Sequence, residues 1–262
     1  MSSYKIFETH AHYDDEAFDE DRDVLLGSMD ENGIQEVVNV CASIDSLEKT
    51  KVLMEKYSFV YGAFGIHPDD AELVTEEVLD KVRECCGLEK AVAVGEIGLD
   101  YYWHKEAGEH ELQKKVFRQQ MEIARELHMP FMVHSREAAA DTLDLVKDCV
   151  NEGMYGGIIH CFSYGKEMAR EYLNMGLYLG IGGVVTFNNA RKVKEVVEYA
   201  PLEQIVLETD SPYLSPVPYR GKRNCSLNLP LVAEEIGRIK GISSEEVVRV
   251  TGDNARRLLL RK

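Results

Sequence analysis

Eight short apolar runs recur along the chain, each followed by a longer amphipathic stretch, and this alternation restricts the fold more than any other feature. The candidate strands are Lys5–Thr9, Glu36–Ala42, Val60–Ile66, Ala91–Ile97, Pro130–His134, Gly157–Cys161, Leu177–Gly182 and Gln204–Glu208. Several are β-branched and apolar on both faces, as strands of a parallel sheet covered on both sides must be. Between them lie helical patterns. Within His110–His128, the residues Leu112, Val116, Met121, Ala124 and Leu127 fall on one face at steps near 3.6. Ala190–Tyr199 places Val193, Val196 and Val197 similarly, and Ser243-Ser244-Glu245-Glu246 reads as a capping box opening the last helix. Eight β-then-α units in 262 residues fit an α/β protein built as one (β/α)8 TIM barrel rather than an open sheet. No linker, low-complexity tract or repeat marks a second domain, so residues 1–262 are expected to form one.

Five of these runs end on a side chain that binds metals: His10 and His12 after the first, Glu96 after the fourth, His134 after the fifth, His160 after the sixth and Asp210 after the eighth. In a barrel the C-terminal strand ends share one rim, and catalytic residues come from several strands. His10 and His12 sit two apart, which on a strand puts both imidazoles on one face, roughly 6.5–7 Å apart. Glu96 lies between Gly95 and Ile97-Gly98. A carboxylate there is buried and needs a partner, for which the choices are a metal or a neighbouring Lys or Arg. Four imidazoles and two carboxylates on one rim would hold two divalent metals, a site for hydrolysis by activated water.

Composition narrows the setting. The chain carries a formal charge of −16, with 45% hydrophobic and 29% charged residues. The last two values are ordinary for a globular protein. A scaffold that grips long duplex DNA is usually basic, so this one is expected to meet nucleic acid only at a local positive site. No apolar run approaches the ~20 residues of a membrane span, so no membrane is expected. The six Cys show no metal or disulfide spacing, and buried free thiols in a reducing, cytoplasmic setting are expected.

The ordered stretches ETHAHYDDEAFDEDRD, GIHP, VGEIGLDYYW, VHSREA, HCFS, LETDSPYL and TGDNARRLL resemble the TatD family of metal-dependent hydrolases, within the amidohydrolase-like barrels. The resemblance spans nearly the whole chain. It implies a deoxyribonuclease-like phosphodiesterase with two metals (Zn, Mn or Mg). His10, His12, Glu96 and Asp210 would hold the first ion. Glu96, His134 and His160 would hold the second, with Glu96 shared. Asp210 and Glu96 are then the expected catalytic carboxylates, with Asp210 orienting the attacking water and taking its proton. Two divalent cations outweigh the two carboxylates and one hydroxide of such a site, leaving a positive spot suited to a phosphodiester. The chain departs from the family at Tyr164, after His-Cys-Phe-Ser, and at Cys225-Ser226, after Arg223-Asn224. Both departures lie in expected substrate-facing loops.

Several groups stand where substrate would arrive. Arg220, Lys222 and Arg223 form a basic cluster after the eighth strand, which could cap a phosphate or simply be solvated surface. Arg136 leaves the rim two residues after His134. His67 ends the third strand as a candidate phosphate contact, and Tyr213 is a candidate phosphate donor. Tyr101-Tyr102-Trp103 would stack on bases or cover the barrel edge. DNA, as single strands or ends, is the expected substrate, with no obligate protein partner evident. The alternatives are an amidohydrolase-type enzyme acting on a small amide, ester or lactone, and a non-catalytic metal-bearing barrel. Against the first, Glu96 stands at the strand-four position where that class often has a Lys. Against the second, a non-catalytic barrel has no physical need for six intact ligands.

Overall fold

The computed structural model describes residues 5–260. All eight apolar runs form strands: β1 (Ile6–Ala11), β2 (Ile34–Val40), β3 (Val60–Phe64), β4 (Ala91–Asp100), β5 (Phe131–Arg136), β6 (Gly157–Ile159), β7 (Tyr178–Ile181) and β8 (Ile205–Leu207). They lie side by side in chain order, and every neighbouring pair is parallel. The ring closes where the chain beyond β8 meets β1. Asp210 N–H donates to His10 O at 2.9 Å, His12 N–H donates to Ser211 O at 2.8 Å, and Ala11 bridges Ser211. Helices follow the strands: α1 (Arg22–Gly27), α2 (Ile44–Lys56), α3 (Glu76–Cys86), α4 (Ala107–Glu126), α5 (Ala139–Asn151), α6 (Lys166–Asn174), α7 (Arg191–Tyr199) and α8 (Leu229–Lys240), with α9 (Ser244–Leu259) last. This is the TIM barrel expected from the alternation. Among the described residues, no helix is long and apolar enough to cross a membrane.

The strands are buried along almost their whole length, so the core runs around the barrel between sheet and helices. A second cluster joins Phe7, Val38, Met132, Ile158 and Val206 to Ala255, Leu258 and Leu259 of α9. At about 1.5–3 kcal/mol for each large apolar side chain buried, these contacts hold the last helix to the barrel. All six cysteines are free; four are buried, and Cys161 and Cys225 are partly so.

Three sequence expectations need correction. Leu112 in α4 and Leu127 just past its end lie at the solvent side, while Gln113 and Gln120 take buried positions. Both glutamines satisfy backbone groups that the rim leaves open. Gln120 accepts from Ile66 N–H at 2.8 Å and donates to Ile66 O at 3.0 Å, while Gln113 accepts from Asp100 N–H at 3.0 Å and donates to Asp100 O at 3.2 Å. At the start of α9, Ser243 Oγ accepts from Glu246 N–H, but the reciprocal half of the capping box is missing, because the Glu246 carboxylate pairs with Arg249 at 2.6 Å. The strand ends also shift. β4 runs on to Asp100 because Gly98, Leu99 and Asp100 pair with His134, Ser135 and Arg136 of β5. Gly98 permits this: at φ +148° a side chain is disfavoured, and an added Cβ would lie 1.9 Å from His134 O.

Candidate metal centre

The rim brings His10, His12, Glu96, His134, His160 and Asp210 together. Glu96 sits at its middle, where the β4–β5 register shifts between Val94 and Ile97, and its N–H donates to Cys41 O at 2.8 Å. Its two carboxylate oxygens face opposite ways. Oε2 lies 3.3 Å from His10 Nε2 and 3.6 Å from His12 Nε2. Oε1 lies 2.9 Å from His134 Nδ1, 3.3 Å from His160 Nε2 and 3.9 Å from His67 Nε2. Asp210 Oδ1 stands across from it, 3.4 Å from His12 Nε2 and 3.9 Å from His160 Nε2. Asp210 adopts φ +57°, a left-handed conformation that Asp tolerates better than most residues. Its backbone is held on both sides, by His10 O and by the N–H of Tyr213.

Two of the rings, His12 and His134, are aimed by what holds their far nitrogen. His12 Nδ1 meets Val40 O at 2.8 Å, so Nε2 faces the centre. His134 Nε2 meets Asp100 Oδ2 at 3.1 Å, so Nδ1 faces it. His160 Nδ1 lies 3.3 Å from Glu208 Oε1, outside hydrogen-bonding alignment, and its ring stacks on His10 at 3.6 Å. Gly180 leaves room for the Glu208 carboxylate where it stands: an added Cβ would lie 2.1 Å from Glu208 Oε2, and the carboxylate would have to shift. Below His10, buried Glu8 accepts from Thr209 N–H, Thr209 Oγ, Ser226 Oγ and His10 N–H. Burial outweighs these bonds and pushes Glu8 up to about 7.

Electrostatics follow from crowding. Burial pulls the His12 pKa down, but its hydrogen bond to Asp210 and the charges of Glu96 and Asp210 prevail and raise it to about 10. For His134 the same contest between burial and the bonds to Asp100 and Glu96 ends at about 9. For His160, burial opposes the charges of Glu208 and Glu96, and the result is also about 9. His10 is lowered, by burial and then by the charge of His160. Burial opposes ionisation of Glu96 and Asp210, but the surrounding imidazoles keep both below the usual carboxylate range. The donor set fits divalent cations. His10 Nε2 and His12 Nε2 face each other at 3.3 Å, close enough to share a proton, and once deprotonated they offer two nitrogen donors to one cation. Among the described residues, three donor groups could each enclose an ion: His10, His12 and Glu96; His10, His160 and Asp210; and His67, Glu96 and His134.

The outer residues divide. His67, expected at the phosphate, reaches the centre itself: its ring meets His134 edge-on at 4.4 Å, and its Nδ1 accepts from Asp69 N–H. Arg136 is exposed at the rim, its guanidinium 3.9 Å from the Tyr102 ring. Arg223 is engaged within the protein. Its guanidinium is clamped by both Asp21 oxygens (2.7 and 2.6 Å) and donates to Ala17 O. Tyr213 gives its hydroxyl hydrogen to Asp15 at 3.2 Å, and Arg220 rests on the Phe187 ring at 4.0 Å. Lys222 is exposed beside Tyr219. Tyr164, one of the departures from the family pattern, places its hydroxyl 2.9 Å from Ser135 Oγ. Reading the sequence missed the supporting groups Asp100, Glu208 and Glu8. Strand alternation held a signal for two of them, since Asp100 shares a strand face with Glu96, and Glu8 with His10.

An eight-stranded parallel barrel with imidazoles and carboxylates converging at its C-terminal rim defines a metal-dependent hydrolase. The model of the TatD related DNase family matches residues 7–260, and the chain belongs to that family. It is 40% identical over 253 residues to the metal-dependent hydrolase YabD of Bacillus subtilis, covering 97% of this chain and 98% of that one. It is 29% identical over 249 residues to the 3′-5′ ssDNA/RNA exonuclease TatD of Cronobacter sakazakii, covering 93% and 94%. The crystal structure of YjjV, a TatD homolog from Escherichia coli, shares the fold with a TM-score of 0.91 at 24% identity, covering 98% of this chain and 99% of that one.

Proposed function

We propose that this hydrolase is a deoxyribonuclease that shortens single-stranded DNA from an end, with two divalent cations at its centre. The division of Glu96 carries the reading. One of its oxygens faces His10 and His12, the other His134 and His160, as a carboxylate shared between two ions would. Asp210 completes the first set. Bound there, divalent cations would supply Lewis acidity and lower the pKa of water from about 15.7 to about 7.

The protein's own groups do the rest. Asp210, fixed by backbone bonds on both sides and set between His12 and His160, orients the attacking water and takes its proton. His67 contacts the phosphate from the β3 rim. Asp100 keeps His134 aimed inward, and Glu208 sets a charge beside His160. A nucleic-acid substrate is supported by the relative named as a single-strand exonuclease. The free, mostly buried thiols support a reducing compartment, the cytoplasm.

Asp210→Asn tests the assignment. With metal content retained, turnover of end-labelled single-stranded DNA should fall by about 10²–10⁴, the usual worth of a positioned base. Near-wild-type turnover would show that Asp210 has another role. Turnover of a lactone or amide with DNA untouched would favour a small-molecule hydrolase.

A further inference from the structure

Just beyond Glu96 the chain carries three aromatic rings in a row, and they part ways. Tyr101 turns in, stacking on His110 at 3.6 Å and donating its hydroxyl to Asp141 at 2.7 Å. Tyr102 and Trp103 turn out, 38% and 64% exposed, and meet edge to face with centroids 4.7 Å apart. A tryptophan left so far in water covers little of the barrel, so packing does not account for it. Arg136 lies over the pair, its guanidinium 3.9 Å from the Tyr102 ring centre and 5.6 Å from that of Trp103.

This ledge is tied to the metal centre. Asp100, whose Oδ2 meets His134, uses Oδ1 to accept from the N–H groups of Tyr102 (2.9 Å) and Trp103 (3.1 Å). Arg136 follows His134 by two residues in β5, on the same strand face. On the far side, His104 Nε2 lies 3.0 Å from Asp69 Oδ1, on the turn that begins at His67. The aromatic pair is therefore held from two directions beside the ligands rather than carried on a loose loop.

We propose that Tyr102, Trp103 and Arg136 form a nucleotide subsite, in which the rings stack the base next to the scissile phosphate and Arg136 meets its charge. This deepens the nuclease reading and rests on it. An exposed π face with a cation above it matches a ligand that has both a flat ring and an anion. A lactone or small ester offers no such ring. Stacking also demands a base freed from its pair, so the favoured substrates are single strands and frayed ends, with purines ahead of pyrimidines.

The chain has a single tryptophan, so intrinsic indole fluorescence reports this ledge alone. The metal-loaded protein is titrated with dAMP and with 2-deoxyribose 5-phosphate, which has the same phosphate and sugar but no base. Saturable quenching by dAMP is expected, with at least about tenfold weaker response to the abasic ligand. Arg136→Gln, which keeps the fluorophore, should weaken the dAMP response about tenfold. Equal responses to the two ligands, or none to either, would overturn the subsite. DNA shortening without base-dependent quenching would remove the subsite and leave the nuclease reading. Quenching without DNA shortening would do the reverse.

Discussion

A histidine can ligate through either ring nitrogen, and the partner of the other nitrogen decides which one. His134 shows how much rests on this. Asp100 holds Nε2 and leaves Nδ1 facing Glu96. Asp100→Asn should therefore weaken divalent-metal affinity by about 10–100-fold, as other losses of a supporting carboxylate do, with the fold intact. Calorimetric titration with Mn or Zn measures it, and unchanged affinity would mean that Asp100 does not orient the ligand. At this scale the sequence was informative where chemistry and strand position coincided. His10, His12, Glu96, His134, His160 and Asp210 all stand out as polar ends of apolar runs. Arg220, Lys222 and Arg223 were harder to read, because a charge in a loop carries no mark of its partner: Arg223 finds Asp21, about 200 residues away in sequence.

Strand ends and buried polar groups mark the limit of sequence reading for whole elements. The alternation of β and α was legible because burial on both faces demands apolar runs. The length of β4 was not, since its last three residues are held by pairing with β5. Nor was the inner face of α4, where Gln113 and Gln120 look like solvent residues but bond the backbone of Asp100 and Ile66. Between helices, Glu235 of α8 makes two bonds to Arg238 and lies 3.1 Å from Lys194 of α7. Arg238, helped by Lys194 and opposed by partial burial, holds Glu235 down to about 2. Because the folded pKa lies below the usual 4.5, this tie contributes fully above about pH 4.5 and fades as pH falls toward 2. Arg238 is largely exposed, so screening limits the pair to about 0.5–1 kcal/mol. Glu235→Gln should lower unfolding stability by that amount at pH 7, with the gap closing near pH 2 in urea titrations. A gap that ignores pH would mean the loss is steric.

With two divalent cations bound, the proposed centre would be a local cationic site inside a chain of formal charge −16. For a nuclease this reverses the usual salt response. A basic DNA-binding protein loses affinity as salt rises. Here salt first screens repulsion between polyanion and protein, so KM for a single-stranded oligonucleotide should fall, not rise, between about 10 and 150 mM NaCl. Steady-state kinetics across that range decide it, and a steadily rising KM would mean that a basic track, not the net charge, governs binding. Everything at this scale depends on Glu96 standing between two ions. The most direct test is anomalous diffraction from crystals loaded with Mn. Two peaks are expected, one beside each carboxylate oxygen of Glu96, at ligand distances of roughly 2.0–2.6 Å. A single peak, or metal bound away from Glu96, would contradict the dinuclear centre.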